Sequence, residues 1–198
     1  KQQIMATTLA ECIVENLVAA SVVEEVDREL YVYGFFLLVT CLFFFLVTVA
    51  VGFFLGIPCE SAVFFVAFIT LRTYAGGIHA KTEAACTVLT TIALGAAVIT
   101  IKILENTNVG ILPLFVFSNL CILLLSPLDS HEKPLDEEDR RKYRRISYSL
   151  LIVCDAITIA AAILTVPALY YPITCGMFLE AVLLSVGKIC NHSKYGSA

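Results

Sequence analysis

An all-α, polytopic integral membrane protein is the fold class this sequence predicts, with about six transmembrane helices behind an N-terminal amphipathic helix, and three observations predict it. The 198 residues are 59% hydrophobic and 15% charged, whereas soluble domains run near 45–50% and about 25%. The mean hydropathy is +0.88. The apolar residues gather in runs close to the about 20 residues a helix needs to cross a bilayer, separated by short polar stretches. A soluble enzyme built on one globular core is excluded on these grounds. The formal charge of −4, from 13 basic and 17 acidic residues, leaves no basic excess to suggest a nucleic-acid partner. Internal repeats and low-complexity linkers are absent, so residues 1–198 are expected to form a single membrane domain.

Residues 1–30 do not read as a signal peptide, because Glu11, Glu15, Glu24, Glu25, Asp27 and Glu29 interrupt any apolar core. Met5, Leu9, Cys12, Ile13, Leu17, Ala20, Val23, Val26 and Leu30 recur every three or four positions, the stripe of an amphipathic helix. Its polar face is acidic, so attraction to anionic lipid does not hold it at the surface. The transmembrane bundle follows over 31–187. Its spans read as Tyr31 to Phe54, Leu55 to Leu71, Ala84 to Leu104, Ile111 to Leu128, Ile146 to Thr165 and Ala168 to Gly187. The second is the weakest, because only eleven uncharged residues follow Glu60, a rise of about 16 Å against about 30 Å of hydrocarbon. Pro167 and Pro172 bracket a short turn, Ala168 to Tyr171, at the outer side.

Lys and Arg set the topology, since cytoplasmic loops carry the positive excess. With both termini inside and six spans, Lys1, Arg28, Arg72, Lys81, Lys133, Arg140, Arg141, Lys142, Arg144, Arg145, Lys188 and Lys194 are cytoplasmic, twelve of the thirteen basic residues. Lys102 is the exception, at the outer end of its span, where its stem can reach the headgroups. A re-entrant second segment would turn the basic 129–145 loop outward, which the charge bias opposes.

Four of the eight cysteines, Cys41, Cys121, Cys154 and Cys175, fall inside apolar spans, and the chain has no CxxC and no Cys/His cluster suited to zinc. They read as small apolar residues, and no metal or cofactor is expected. The chemistry-bearing stretch is Arg72 to Cys86, RTYAGGIHAKTEAAC. His79 and Cys86 are seven residues apart, which on one continuous helix is about 10.5 Å of rise, beyond thiol-to-base reach. The helix therefore has to break between them. Gly76 and Gly77 permit the turn, Thr82 reads as an N-cap with Glu83 in the first turn, and Cys86 falls in the opening turn of the next span, where helix N–H groups and the dipole stabilise a thiolate. The spacing is compatible with a nucleophile and its base, and also with an interfacial His, a coincidental Cys and ordinary basic anchors at Arg72 and Lys81.

This stretch resembles the signature of the accessory gene regulator B family, membrane cysteine endopeptidases that process quorum-sensing propeptides. The match is Arg72-x-Tyr74-x-Gly76-Gly77-x-His79-Ala80-x-Thr82-x-x-x-Cys86, with Gly76 carrying little weight in it. A second similarity is Ser126-Pro127-Leu128-Asp129 followed by Lys133-Pro134-Leu135 and a charged run. The likeness extends over nearly the whole chain. It implies that Cys86 is the nucleophile and His79 the general base and acid, supported by Arg72 and Gly77. It also implies an autoinducer propeptide of the accessory gene regulator D type as substrate, a multi-pass protein of the bacterial cell membrane with its site on the cytoplasmic side, and a homodimer. Arg72 either grips substrate carboxylates bidentately or holds the His79 loop through backbone carbonyls.

Between 129 and 145 the acidic residues come first and the basic ones last, which suits a helix dipole. Glu137 with Arg141 and Glu138 with Lys142 make i,i+4 pairs, the mark of a short solvated helix leading into the fifth span. The functional reading is that Lys133, Arg140, Arg141 and Lys142 bind an acidic part of the propeptide. The alternative from another class is a non-catalytic transporter or peptide-export partner, for which Glu60 and Asp155 are the main ionisable candidates within the spans.

Overall fold

A computed structural model describes residues 2–20, 23–76, 83–107, 109–128 and 136–195. Seven α-helices account for most of them, α1 Gln2–Ala19, α2 Arg28–Leu55, α3 Pro58–Ala75, α4 Glu83–Thr107, α5 Leu112–Leu125, α6 Glu137–Ile163 and α7 Pro167–Tyr195, with one 3₁₀ turn at Glu25–Asp27. Among the described residues there is no strand, only an isolated bridge between Gly76 and Leu128. Glu25–Leu55, Ala85–Thr107, Glu137–Ile163 and Pro167–Ile189 are long and apolar enough to cross a membrane. The chain divides into two compact units, 1–47 and 48–198.

In the first unit the N-terminal stripe is shorter than its periodicity predicts. α1 ends at Ala19, and Leu30 already belongs to α2. Val14 is buried and Ile13, Leu17 and Val18 are half-buried, whereas Cys12 is exposed, so the sunken face is set by 13, 14, 17 and 18. Arg28 pairs with Glu15 across 3.4 Å.

In the second unit, α2 breaks before α3 because Gly56 takes φ 74°, the Ile57 N–H turns back to the Gly52 carbonyl at 2.8 Å, and Pro58 starts the new helix at its first position. The segment expected to begin at Leu55 thus begins three residues later and runs unbroken for 18 residues, about 27 Å. Its two charges, Glu60 and Arg72, sit in its first and last turns. α3 is a core helix, with Phe64, Phe65, Ala67, Phe68, Leu71 and Ala75 all buried. α5 is 14 residues, about 21 Å, shorter than the span expected over 111–128. α6 fuses the solvated helix expected at the charged segment to the fifth span without interruption. The outer turn expected at 168–171 is instead the first turn of α7, which Pro167 opens, while Pro172 lies inside it; the reversal is at Leu164 to Val166, with Thr165 at φ 55°.

The core is formed by i,i+3 and i,i+4 stripes, Ala67, Leu71 and Ala75 of α3 against Ile173, Met177, Ala181 and Leu184 of α7, completed by Ile122, Leu151 and Cys154. Helix α7 packs on α3, α4, α5 and α6. Gly176 permits its approach: a Cβ there would lie 3.1 Å from the Phe68 nitrogen and 3.2 Å from the Phe64 carbonyl oxygen. Large aliphatics face outward, among them Leu89 and Ile92 on α4, Leu120 and Leu124 on α5, and Ile152 and Ile163 on α6, so cohesion between helices rests on close packing rather than water exclusion. From α3 to α7 the consecutive helices alternate in direction. Phe68 and Arg72 of α3 meet Gly176 and Glu180 of α7 in the same order along both chains, so these two run parallel. Tyr74 meets Tyr143 with ring centroids 6.0 Å apart, placing the start of α6 at the end of α3.

Candidate site at the break between α3 and α4

Helix α3 stops because its C-cap is Gly76 at φ 82° and ψ −161°, whose N–H still reaches the Arg72 carbonyl at 3.3 Å. The departing chain is held from outside the helix: the Leu128 N–H donates to the Ala75 carbonyl at 2.9 Å and Leu128 bridges to Gly76. A Cβ on Gly76 would overlap the Leu128 carbonyl oxygen and stand 3.3 Å from its carbonyl carbon and nitrogen. Gly76, which carries little weight in the family likeness, therefore carries steric weight in the fold, since both its dihedrals and this approach exclude a side chain. Behind Leu128, the Ser126–Pro127 bond is cis, and Ser126 Oγ donates to Ser147 Oγ at 2.9 Å in the buried contact that fastens this segment to α6.

Arg72 lies in the last turn of α3, where its charge complements the helix C-terminus. Its Nη1 donates to the Gly76 carbonyl at 2.8 Å and lies 4.0 Å from Glu180 Oε2 on α7. The side chains are 21% and 0% exposed. Of the two roles left open for Arg72, holding a backbone carbonyl is the one this geometry displays. Glu180 is a residue the sequence reading does not single out. The available signal was its standing as the acidic residue within the otherwise apolar run Ala168 to Gly187.

α4 begins at Glu83, as the expected N-terminus requires, and Cys86 is its fourth residue and half-buried. Helix ends at Ala75 and Glu83 mean that no continuous helix carries both members of the expected pair. Gly77, His79, Lys81, Thr82 and Lys133 lie outside the described residues. Of the residues the family likeness singles out, Arg72 and Cys86 are thus placed, in the last turn of α3 and the first turn of α4.

Arg140, Arg141 and Lys142 are exposed on the opening turns of α6. Glu137 and Arg141 form the expected i,i+4 pair at 3.3 Å, with side chains 77% and 90% exposed for Arg141 and Glu137. Tyr74 and Tyr143 bring this basic turn to the end of α3. The residues weighed for transport are dispersed: Glu60 is at the start of α3, and Asp155 accepts a 3.0 Å hydrogen bond from Asn119 Nδ2 between α6 and α5. Cys41, Cys121, Cys154 and Cys175 are free thiols within helices, as expected.

A family model described as "Accessory gene regulator B" matches residues 6–184. A protein of Clostridium perfringens (strain SM101 / Type A) described as AgrB-like is 25% identical over 192 residues, covering 92% of this chain and 86% of that protein. A second AgrB-like protein, from Clostridium perfringens (strain 13 / Type A), is 26% identical over 143 residues, covering 65% of this chain and 66% of its own length. No solved structure gives a significant match.

Proposed function

Because the chain belongs to the accessory gene regulator B family, with a role in quorum-sensing peptide processing at the membrane, we propose that it is a cysteine endopeptidase that cleaves an autoinducer propeptide through an acyl-thioester on Cys86. The observation that carries the proposal is the break itself. α3 ends at Ala75 and α4 starts at Glu83, so the segment bearing His79 departs from a pinned Gly76 and returns into the helix whose opening turn holds Cys86. No single helix carries both residues, so the about 10.5 Å of rise that a continuous helix would impose does not apply.

In the proposed reaction His79 takes the Cys86 proton, and the thiolate attacks a peptide carbonyl near the C-terminal segment of the propeptide. His79 then protonates the departing amine, leaving the upstream part of the substrate as a thioester on Cys86. If a cysteine of the substrate attacks that thioester, one thioester replaces another, Cys86 is released as a thiol, and a thiolactone ring closes without ATP; a hydroxyl nucleophile gives a lactone. Backbone N–H groups at the start of α4 supply candidate donors for the developing oxyanion. Exclusion of water near the headgroups slows hydrolysis of the intermediate. The exposed cations Arg140, Arg141 and Lys142 are proposed to gather acidic residues of the propeptide.

The proposed placement is a bacterial cell membrane, with both termini and the site on the cytoplasmic side. Support comes from the alternating helices, which bring Arg72, the basic turn of α6 and Lys188 to one end of the bundle, the end that the positive excess assigns to the cytoplasm. The test is mass spectrometry of a propeptide encoded near this gene, co-expressed with wild type, Cys86→Ala or His79→Ala at matched membrane levels. Wild type is expected to release the C-terminal segment or form a covalent peptide adduct, and both variants to do neither. A Cys86→Ala variant that processes the peptide as well as wild type overturns the peptidase mechanism.

A further inference from the structure

We propose that Glu180 is a positioning residue for this site, acting through Arg72 on the Gly76 carbonyl; the inference rests on the peptidase reading above. The Glu180 carboxyl is fully buried in the core helix α7, and among the described residues neither of its oxygens receives a hydrogen bond. It faces Arg72 Nη1 at 4.0 Å, and that same nitrogen donates to the Gly76 carbonyl at 2.8 Å. One guanidinium nitrogen thus stands between a carboxyl inside the bundle and the carbonyl from which the His79-bearing segment departs. The alignment is built into the packing. Gly176 lets α7 touch Phe68, and one helical turn further along each of these parallel helices Glu180 meets Arg72.

An ionisable side chain within a membrane-spanning helix is costly and is kept paired. The role of this one follows from what Arg72 would do without it. The arginine is at the end of α3 and 21% exposed, where a long basic side chain can also extend its head toward the interface. The Glu180 carboxyl is the polar group inside the bundle that the guanidinium faces over the end of α3, where Nη1 holds Gly76. Losing that contact loosens the placement of the guanidinium on the Gly76 carbonyl and with it the start of the segment leading to His79. Glu180 touches no reacting atom, so its removal is expected to lower turnover while leaving substrate binding largely intact.

The experiment measures propeptide cleavage by the full chain, per mole of folded, monodisperse protein, for wild type, Glu180→Gln, Glu180→Asp, Arg72→Gln and the Glu180→Gln/Arg72→Gln double variant, with Cys86→Ala as control. Glu180→Gln is expected to lower kcat by about ten- to a hundredfold, the effect of displacing a site by about 1 Å, with KM within about twofold. Glu180→Asp, which keeps the carboxyl at a greater distance from Arg72, falls between wild type and Glu180→Gln. The double variant is expected to be no worse than the poorer single one, because the two residues act as one unit. Wild-type kcat in Glu180→Gln, effects of the two substitutions that multiply, or a loss confined to the yield of folded protein overturns the proposal. A Cys86→Ala control that still cleaves overturns the peptidase reading and this proposal with it, whereas an inactive control beside a fully active Glu180→Gln overturns this proposal alone.

Discussion

Replacing Gly76 with alanine places a methyl group at the point where α3 releases the chain, and the structure sets the size of the effect. At φ 82° and ψ −161° the backbone is in a region open essentially to glycine, and holding an L-residue there costs about 1–3 kcal/mol. The new Cβ would also overlap the Leu128 carbonyl oxygen, with the Leu128 carbonyl carbon and nitrogen both 3.3 Å away. These are backbone atoms that cannot swing aside. Moving Leu128 breaks its 2.9 Å hydrogen bond to the Ala75 carbonyl, worth about 1 kcal/mol. The two contributions together predict a destabilisation of about 2–4 kcal/mol. Chemical unfolding of the detergent-solubilised protein measures it, alongside propeptide cleavage at matched protein levels. Gly95→Ala is the internal control, since a Cβ there meets nothing within 4 Å and removing a mid-helix glycine is expected to stabilise by about 0.5–1 kcal/mol. If Gly76→Ala unfolds and cleaves like wild type, the glycine requirement and the Leu128 bridge are both wrong.

Gly176→Val pushes against the backbone of Phe64 and Phe68, at 3.2 and 3.1 Å from a first Cβ, and is expected to cost about 1–3 kcal/mol by overpacking, read as a lower unfolding midpoint. Ser126→Ala leaves the fully buried Ser147 oxygen without the donor now 2.9 Å away, a loss of about 1–3 kcal/mol, whereas Ser126→Ala/Ser147→Ala is nearly neutral because no orphan remains; the same unfolding assay separates them. Substituting Arg140, Arg141 and Lys142 together by Gln is expected to raise KM for an acidic propeptide and flatten its dependence on salt while leaving kcat in place, and an unchanged KM removes these residues from substrate binding.

Much of this protein is legible in its sequence because the lipid solvent is a blunt selector. Apolar runs such as Tyr31 to Phe54 and Ala84 to Leu104 give α2 and α4 within about three residues, since backbone groups in hydrocarbon have to be satisfied within the helix. The end of α3 at Gly76 and the restart at Glu83 fall where the sequence places a turn and a helix start, because turn and helix-start chemistry is local. Helix ends set by neighbours are read less well. The Pro172 position looks like a turn but continues α7, and α5 stops at Leu125 although the apolar run extends to Leu128.

The sequence by itself determined the all-α membrane class, the order of the helices, the place where the chain breaks and the opening-turn position of Cys86, all of them consequences of local composition and spacing. Only the tertiary structure decided that Arg72 holds Gly76, that Gly76 rather than any larger residue fits beneath Leu128, and that Glu180 is the buried partner of Arg72. The physical reason is sequence distance. Gly76 and Leu128, like Arg72 and Glu180, meet through the packing of separate helices, and a charge inside an apolar span acquires its meaning from the side chain that faces it across the bundle.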